Sequence, residues 1–377
     1  MRRTFILASG LALLLLACDS DGSGGAKITP VDATGGDATL GDASADGVLD
    51  ATTDGVLDAT ADGATDATPD GSSTPLRVDP ACIDGQFAEA LPDPGADLSA
   101  VIAAYSQAQP TDFILAALDL RYPTGASIVR KGLAAEGKIG LGNCVDTFLQ
   151  PSASAAKVLS QLSTIVHECG HFADLAASSG ATFIFNATTT SSCQGGGSQG
   201  GPPATFARSL LNGDPYSPLR PPCPDSGFGD NCDSYANVYL DGDPTNGTFE
   251  GGDQGFDSVI EETTQYVGSL ATGYAFEDQY TFSTSERDGI LTFLWYVERY
   301  LRLARLEHPA VHAALLADGC WRRAILTVWG RAHLYLAATE GRAKLGLADD
   351  AIDALVDDPE LLGEIQRVRA AEGCAAP

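Results

Sequence analysis

The chain has 377 residues, of which 44% are hydrophobic, and a formal net charge of −28. Nucleic-acid binding needs clustered Lys and Arg to neutralise phosphates; 22 basic residues against 50 acidic ones argue against such a partner. The length suffices for one large domain or two small ones once low-complexity sequence is set aside.

The N-terminus reads "MRRTFILASGLALLLLACDS". Arg2 and Arg3 precede an apolar run, Phe5 to Leu16, that is too short to span a bilayer. The run ends in Leu15-Leu16-Ala17-Cys18, which resembles a bacterial lipobox. Residues 1–17 are therefore expected to be a lipoprotein signal peptide. Cys18 is expected to carry the acyl chains that tether the protein to a membrane, outside the cytoplasm in the cell envelope. Residues 18–76 are nearly all Asp, Ala, Thr, Gly and Ser, with "DGVLDAT" at Asp46 and again at Asp54. Such a segment buries too little apolar area to offset its ordering entropy, and its aspartates repel, so a disordered, solvated linker is expected.

From 77 to 377 the composition is globular. The segments 97–107, 111–120 and 125–137 read as short helices, with Asp97 and Thr111 as N-caps. A longer helix is expected over 151–177, and a strand over 181–190, where β-branched and aromatic residues gather. Residues 191–233, rich in Gly, Pro and Cys, suggest a long stapled loop. "GFDSVIEETTQYVGSL" (255–270) carries apolar residues at helical spacing, and 285–376 is strongly helical. The expected fold class is mainly α (α+β), with a small β component.

Eight cysteines remain after Cys18, an even number that suggests disulfides in an exported chain. Cys223 and Cys232 enclose a short loop and are expected to pair. Chain order alone suggests Cys82 with Cys144 and Cys320 with Cys374, leaving Cys169 open to being a buried free thiol.

Within the 151–177 helix stands "VHECGH": His167, Glu168 and His171. On a helix, residues i and i+4 share a face, so both imidazoles aim at a common point. Two such nitrogens suit Zn²⁺, and the glutamate beside the first histidine reaches water on the ion without ligating it. This helix resembles the active-site helix of the zincin metallopeptidases. The resemblance covers about one helix and implies a zinc-dependent hydrolase acting on a peptide or protein substrate, with Glu168 as general base.

Zincins differ in the ligand that completes the site. A metzincin extension would need glycine and a ligand where this chain has Asp174 and Ala177, and "GTFEGG" (247–252) is only a partial aspzincin echo, with Glu250 at the aspartate position. The gluzincin arrangement, with a glutamate on a second helix, points to 255–270. There Glu261 and Glu262 flank the apolar stripe, and Glu262 is preferred because Tyr266 lies one turn beyond it, where a phenol can serve an oxyanion. The residues expected to bind metal are His167, His171 and Glu262, with Glu168 and Tyr266 catalytic. His308 and His312 read as helix-start or packing residues, and His333 as a core histidine or one supporting a ligand. Tyr235 and Tyr239 read as core aromatics or cleft donors, and Arg331 as a structural ion-pair former or a binder of a substrate carboxylate. The acidic turn 241–253 misses the calcium-loop register. The alternative expectation is a non-catalytic surface lipoprotein of zincin-derived fold that binds a partner or polysaccharide.

Overall fold

A computed structural model describes residues 75–138, 140–150, 153–177, 180–196, 201–224, 231–240 and 255–374. The expected signal peptide, the expected linker up to residue 74 and the acidic turn, with Glu250, lie outside the described residues. Five helices come first: α1 (Ile83–Gln86), α2 (Ser99–Ala103), α3 (Pro110–Arg121), α4 (Pro123–Leu133) and α5 (Cys144–Phe148). Pro110 and Pro123 sit in the first turns of α3 and α4, where a missing N–H leaves no intrahelical bond unmade. Thr111 is thus inside α3 rather than capping it. Asp97 accepts hydrogen bonds from the Ser99 backbone and hydroxyl at the start of α2, a helix shorter than expected.

The long helix expected over 151–177 is two helices, α6 (Ala155–Leu159) and α7 (Leu162–Ala177). The break falls at Ser160–Gln161, where both side chains donate to the Lys157 carbonyl. They satisfy the acceptor that a continuing helix would have used. After α7 comes a hairpin of β1 (Ala181–Ile184) and β2 (Thr190–Cys193), antiparallel, with Ala181 opposite Cys193 and Ile184 opposite Thr190. The single strand expected here is thus two, turned around Asn186, whose side chain accepts from the backbone of Thr188 and Thr189.

Two short helices, α8 (Pro202–Thr205) and α9 (Ala236–Tyr239), precede the helical remainder: α10 (Phe256–Phe276), α11 (Glu286–Glu307), α12 (Pro309–Ala317), α13 (Gly319–Ala338), α14 (Asp349–Val356) and α15 (Pro359–Glu372). Asp318 and Asp358 cap α13 and α15 through their carboxylates, and Gly373 ends α15 in the left-handed region at φ 85°. Helix α10 is buried almost all round, the mark of a central element. It packs against α7, α11, α13 and β1, while α4 and α5 cover the outer side of α7. The described part is mainly helical with one small sheet. None of its helices is long and apolar enough to cross a membrane.

Four disulfides staple the fold: Cys82–Cys374, Cys144–Cys169, Cys193–Cys320 and Cys223–Cys232. Cys223–Cys232 agrees with expectation. The pairs Cys82–Cys144 and Cys320–Cys374 do not form, and Cys169 is not a free thiol. Chain order misled because α1 and α15 both pack on α13, bringing the two ends together, while α5 packs on α7 and β2 on α13. Four such bonds point to an oxidising, extracytoplasmic compartment.

Candidate metal centre

The site is built where α7 and α10 cross. His167 and His171 lie one turn apart on α7, and Glu262 projects from α10, so the three side chains meet in the interior. All are buried: His167 is 3% exposed, His171 6% and Glu262 1%. Glu262 Oε2 lies 3.5 Å from His167 Nε2 and 3.6 Å from His171 Nε2, and the three ligand atoms fall within 4.8 Å of one another. The two nitrogen–oxygen separations exceed those of an N–H···O bond. They match the edge of a tetrahedron of ligands around one ion, ~3.3 Å for bonds of about 2.0–2.1 Å. A His-His-Glu group able to hold a metal ion is therefore present.

The far side of each imidazole shows how the rings are oriented. His171 Nδ1 bonds the Glu261 carboxylate at 2.7 and 2.8 Å, and His167 Nδ1 bonds Ser269 Oγ at 3.0 Å. An ionised carboxylate only accepts, so His171 Nδ1 carries a proton toward Glu261 and Nε2 is the ring atom turned toward Glu262. His167 Nε2 makes no hydrogen bond among the described residues. A buried nitrogen left so is costly unless something else satisfies it, and a cation does. The paired acids of α10 thus divide the work: Glu262 faces both imidazoles, and Glu261 holds one of them from behind.

Glu168 is 2% exposed, and its Oε1 makes no hydrogen bond among the described residues. Burial holds its carboxyl above the ordinary range, opposed by the His167 and His171 imidazoles and reinforced by Glu262 and Glu261. Burial works against a charged His171, but Glu261 and Glu262 outweigh it and hold that imidazole well above its usual value. Asp174 is pushed well up, first by burial and then by Glu261. A bound divalent cation would favour the ionised form of each carboxylate near it.

Tyr266 sets its ring edge against His167, 4.9 Å between centroids, and stacks on Phe293. Its ring fills a slot over Gly289, where an added Cβ would lie 2.5 Å from the ring carbons. Its hydroxyl pairs with that of Tyr239 at 3.2 Å. Burial raises both phenols, so both are neutral donors at physiological pH.

The remaining candidates serve the fold. Arg331 is fully buried and pairs with Glu89 at 3.2 Å and with the Tyr122 hydroxyl at 2.8 Å. His333 packs on Trp329, and burial lowers its pKa to about 3. His308 and His312 lie at the α11–α12 junction. Sequence reasoning gave no role to Ser269 or Gln265 and considered Asp174 only against another ligand pattern. Gln265 follows Glu261 by one turn and Asp174 follows His171 by three residues, which is the signal that was available; Ser269 had none.

No family model, no curated protein and no solved structure matches this chain. The functional reading therefore stands on the site itself.

Proposed function

We propose that the chain is a zinc-dependent hydrolase of gluzincin type, a peptidase held at the cell envelope by a lipid on Cys18. The convergence of His167 Nε2, His171 Nε2 and Glu262 Oε2 carries this reading. A set of two imidazoles and one carboxylate suits zinc, and three protein ligands leave a fourth position open, as catalytic rather than structural zinc sites do. Zinc held there would supply Lewis acidity and lower the pKa of water. Glu168, buried on the turn that bears both imidazoles, takes a proton from the attacking water and passes it to the leaving amine. Tyr266, with Tyr239 hydrogen-bonded to it, offers phenolic donors for charge developing on a peptide carbonyl oxygen. Residues 18–76 would hold the domain off the membrane.

The mature protein is expected to carry one zinc per chain by elemental analysis. Glu168→Gln should keep that zinc and lower hydrolysis of a peptide library by about 10²–10⁴-fold. Unchanged zinc after His167→Ala would sink the reading. The burial of all three ligands favours one rival, in which the ion pins α7 to α10 in a non-catalytic lipoprotein that binds a partner or polysaccharide through another surface. Zinc-loaded wild type with no hydrolysis across the library would select that rival.

A further inference from the structure

Gly170 is the one poor helix former between the two motif histidines, and mid-helix it costs about 1 kcal/mol relative to alanine. The neighbouring helix supplies a reason for it. A Cβ built on Gly170 would lie 1.8 Å from Gln265 Oε1 and 2.6 Å from its Cδ. The Gln265 side chain thus lies in a slot that α7 opens only because residue 170 has no side chain.

Gln265 is 2% exposed, and its amide nitrogen faces two carboxylates. It donates to Asp174 Oδ2 at 2.8 Å and to Glu261 Oε1 at 3.3 Å. The Glu261 carboxylate, already accepting from His171 Nδ1, offers no proton to an amide oxygen, so the amide points its NH₂ toward the acids and its oxygen toward Gly170. Glu261 is the group that holds His171 Nδ1. The other oxygen of Asp174 accepts the Ile184 N–H of β1 at 2.9 Å. The network therefore runs from the β-hairpin through Asp174, Gln265 and Glu261 to His171.

We propose that Gln265 is a positioning residue of the metal centre: seated over Gly170, its amide keeps the Glu261 carboxylate on His171 and so sets the orientation of that ligand. The proposal rests on the metal-binding reading but not on hydrolysis. Without the amide, the buried Asp174 and the half-buried Glu261 lose their shared donor, Glu261 turns away from its neighbour, and His171 loses the partner that holds its Nε2 in line. Losing such support for a ligating histidine lowers metal affinity by about 10–100-fold.

The test measures zinc affinity of the intact protein by competition with a chromophoric chelator. It is joined to the visible spectrum of the cobalt(II)-substituted protein and the melting temperature of the metal-free form. Gln265→Met keeps length and removes both donors. Gly170→Ala leaves the amide in place chemically but displaces it. Each variant is expected to weaken zinc by about 10–100-fold and shift the cobalt bands. The double variant should be no weaker than Gln265→Met alone, because the two changes remove one interaction. Affinity within threefold of wild type in Gln265→Met, or losses that simply multiply in the double variant, would overturn the proposal. Should Gln265→Met fail to fold, Gly170→Ala with unchanged affinity and spectrum would overturn it as well. His167→Ala run alongside separates the two ideas, since unchanged zinc there removes the metal centre itself.

Discussion

At the scale of single residues, burial gives each ionisable group a sharply defined task. At the metal centre the acids and imidazoles offset one another's cost. Glu298 on α11 lacks such offsets. It is fully buried, and neither carboxylate oxygen makes a hydrogen bond among the described residues. Burial first, then the charges of Asp358 and Asp357, hold its carboxyl well above the ordinary range, with Arg77 opposing. A pKa raised on folding means that the folded state binds the proton more tightly. The contribution to stability is then full below the unfolded pKa, about 4.3, and is lost as pH rises through the folded value. Glu298→Gln is therefore expected to match wild type near pH 4 and to be the more stable of the two at pH 8. Urea denaturation at both pH values measures this, and a difference independent of pH would contradict it.

At the scale of elements, the site depends on how closely α7 can be approached from two sides. On the inner side Gly170 admits Gln265. On the outer side Gly132 of α4 meets the backbone of α7, where an added Cβ would lie 2.3 Å from the Cys169 carbonyl oxygen. Backbone cannot retreat as a flexible side chain can. Gly132→Ala is therefore expected to destabilise the fold by ~1–3 kcal/mol, the usual range for overpacking, read as a lower urea midpoint. A midpoint equal to wild type would show that α4 shifts freely. Amphipathic spacing made α10 and the C-terminal helices legible in the sequence. The break between α6 and α7 was not, because it comes from Ser160 and Gln161 bonding back to a carbonyl, a choice that hydrophobic period does not register.

At the scale of the whole molecule, the two ends of the described domain are locked together. Cys82 bonds Cys374 across 292 residues of sequence. Beside it the Asp84 carboxylate and the Arg369 guanidinium, both fully buried side chains, pair at 2.6 Å. Arg369 also donates to the carbonyls of Leu76 and Arg77. Removing one partner of a buried pair strands the other charge, so Arg369→Ala is expected to cost ~3–5 kcal/mol. Calorimetry of the oxidised protein checks this, and a melting temperature within ~1.5 °C of wild type, less than ~1 kcal/mol for a folded domain of about 300 residues, would refute it.

The amino-acid sequence alone determined what depends on neighbours a few residues apart. It put His167 and His171 on one helical face with Glu168 beside them, gave α10 its apolar stripe, and closed the short Cys223–Cys232 loop. Those features follow from a 3.6-residue period and short-range chain closure, which any local window contains. The sequence favoured Glu262 over Glu261 through Tyr266, but the tertiary structure alone decided that Glu261 supports an imidazole from behind. It also decided that Cys169 is bonded to Cys144 and that the first and last of the described helices meet. Each of these joins residues 25 to 292 positions apart. At that range the outcome is decided by which helix faces pack together, and no local period in the sequence encodes it.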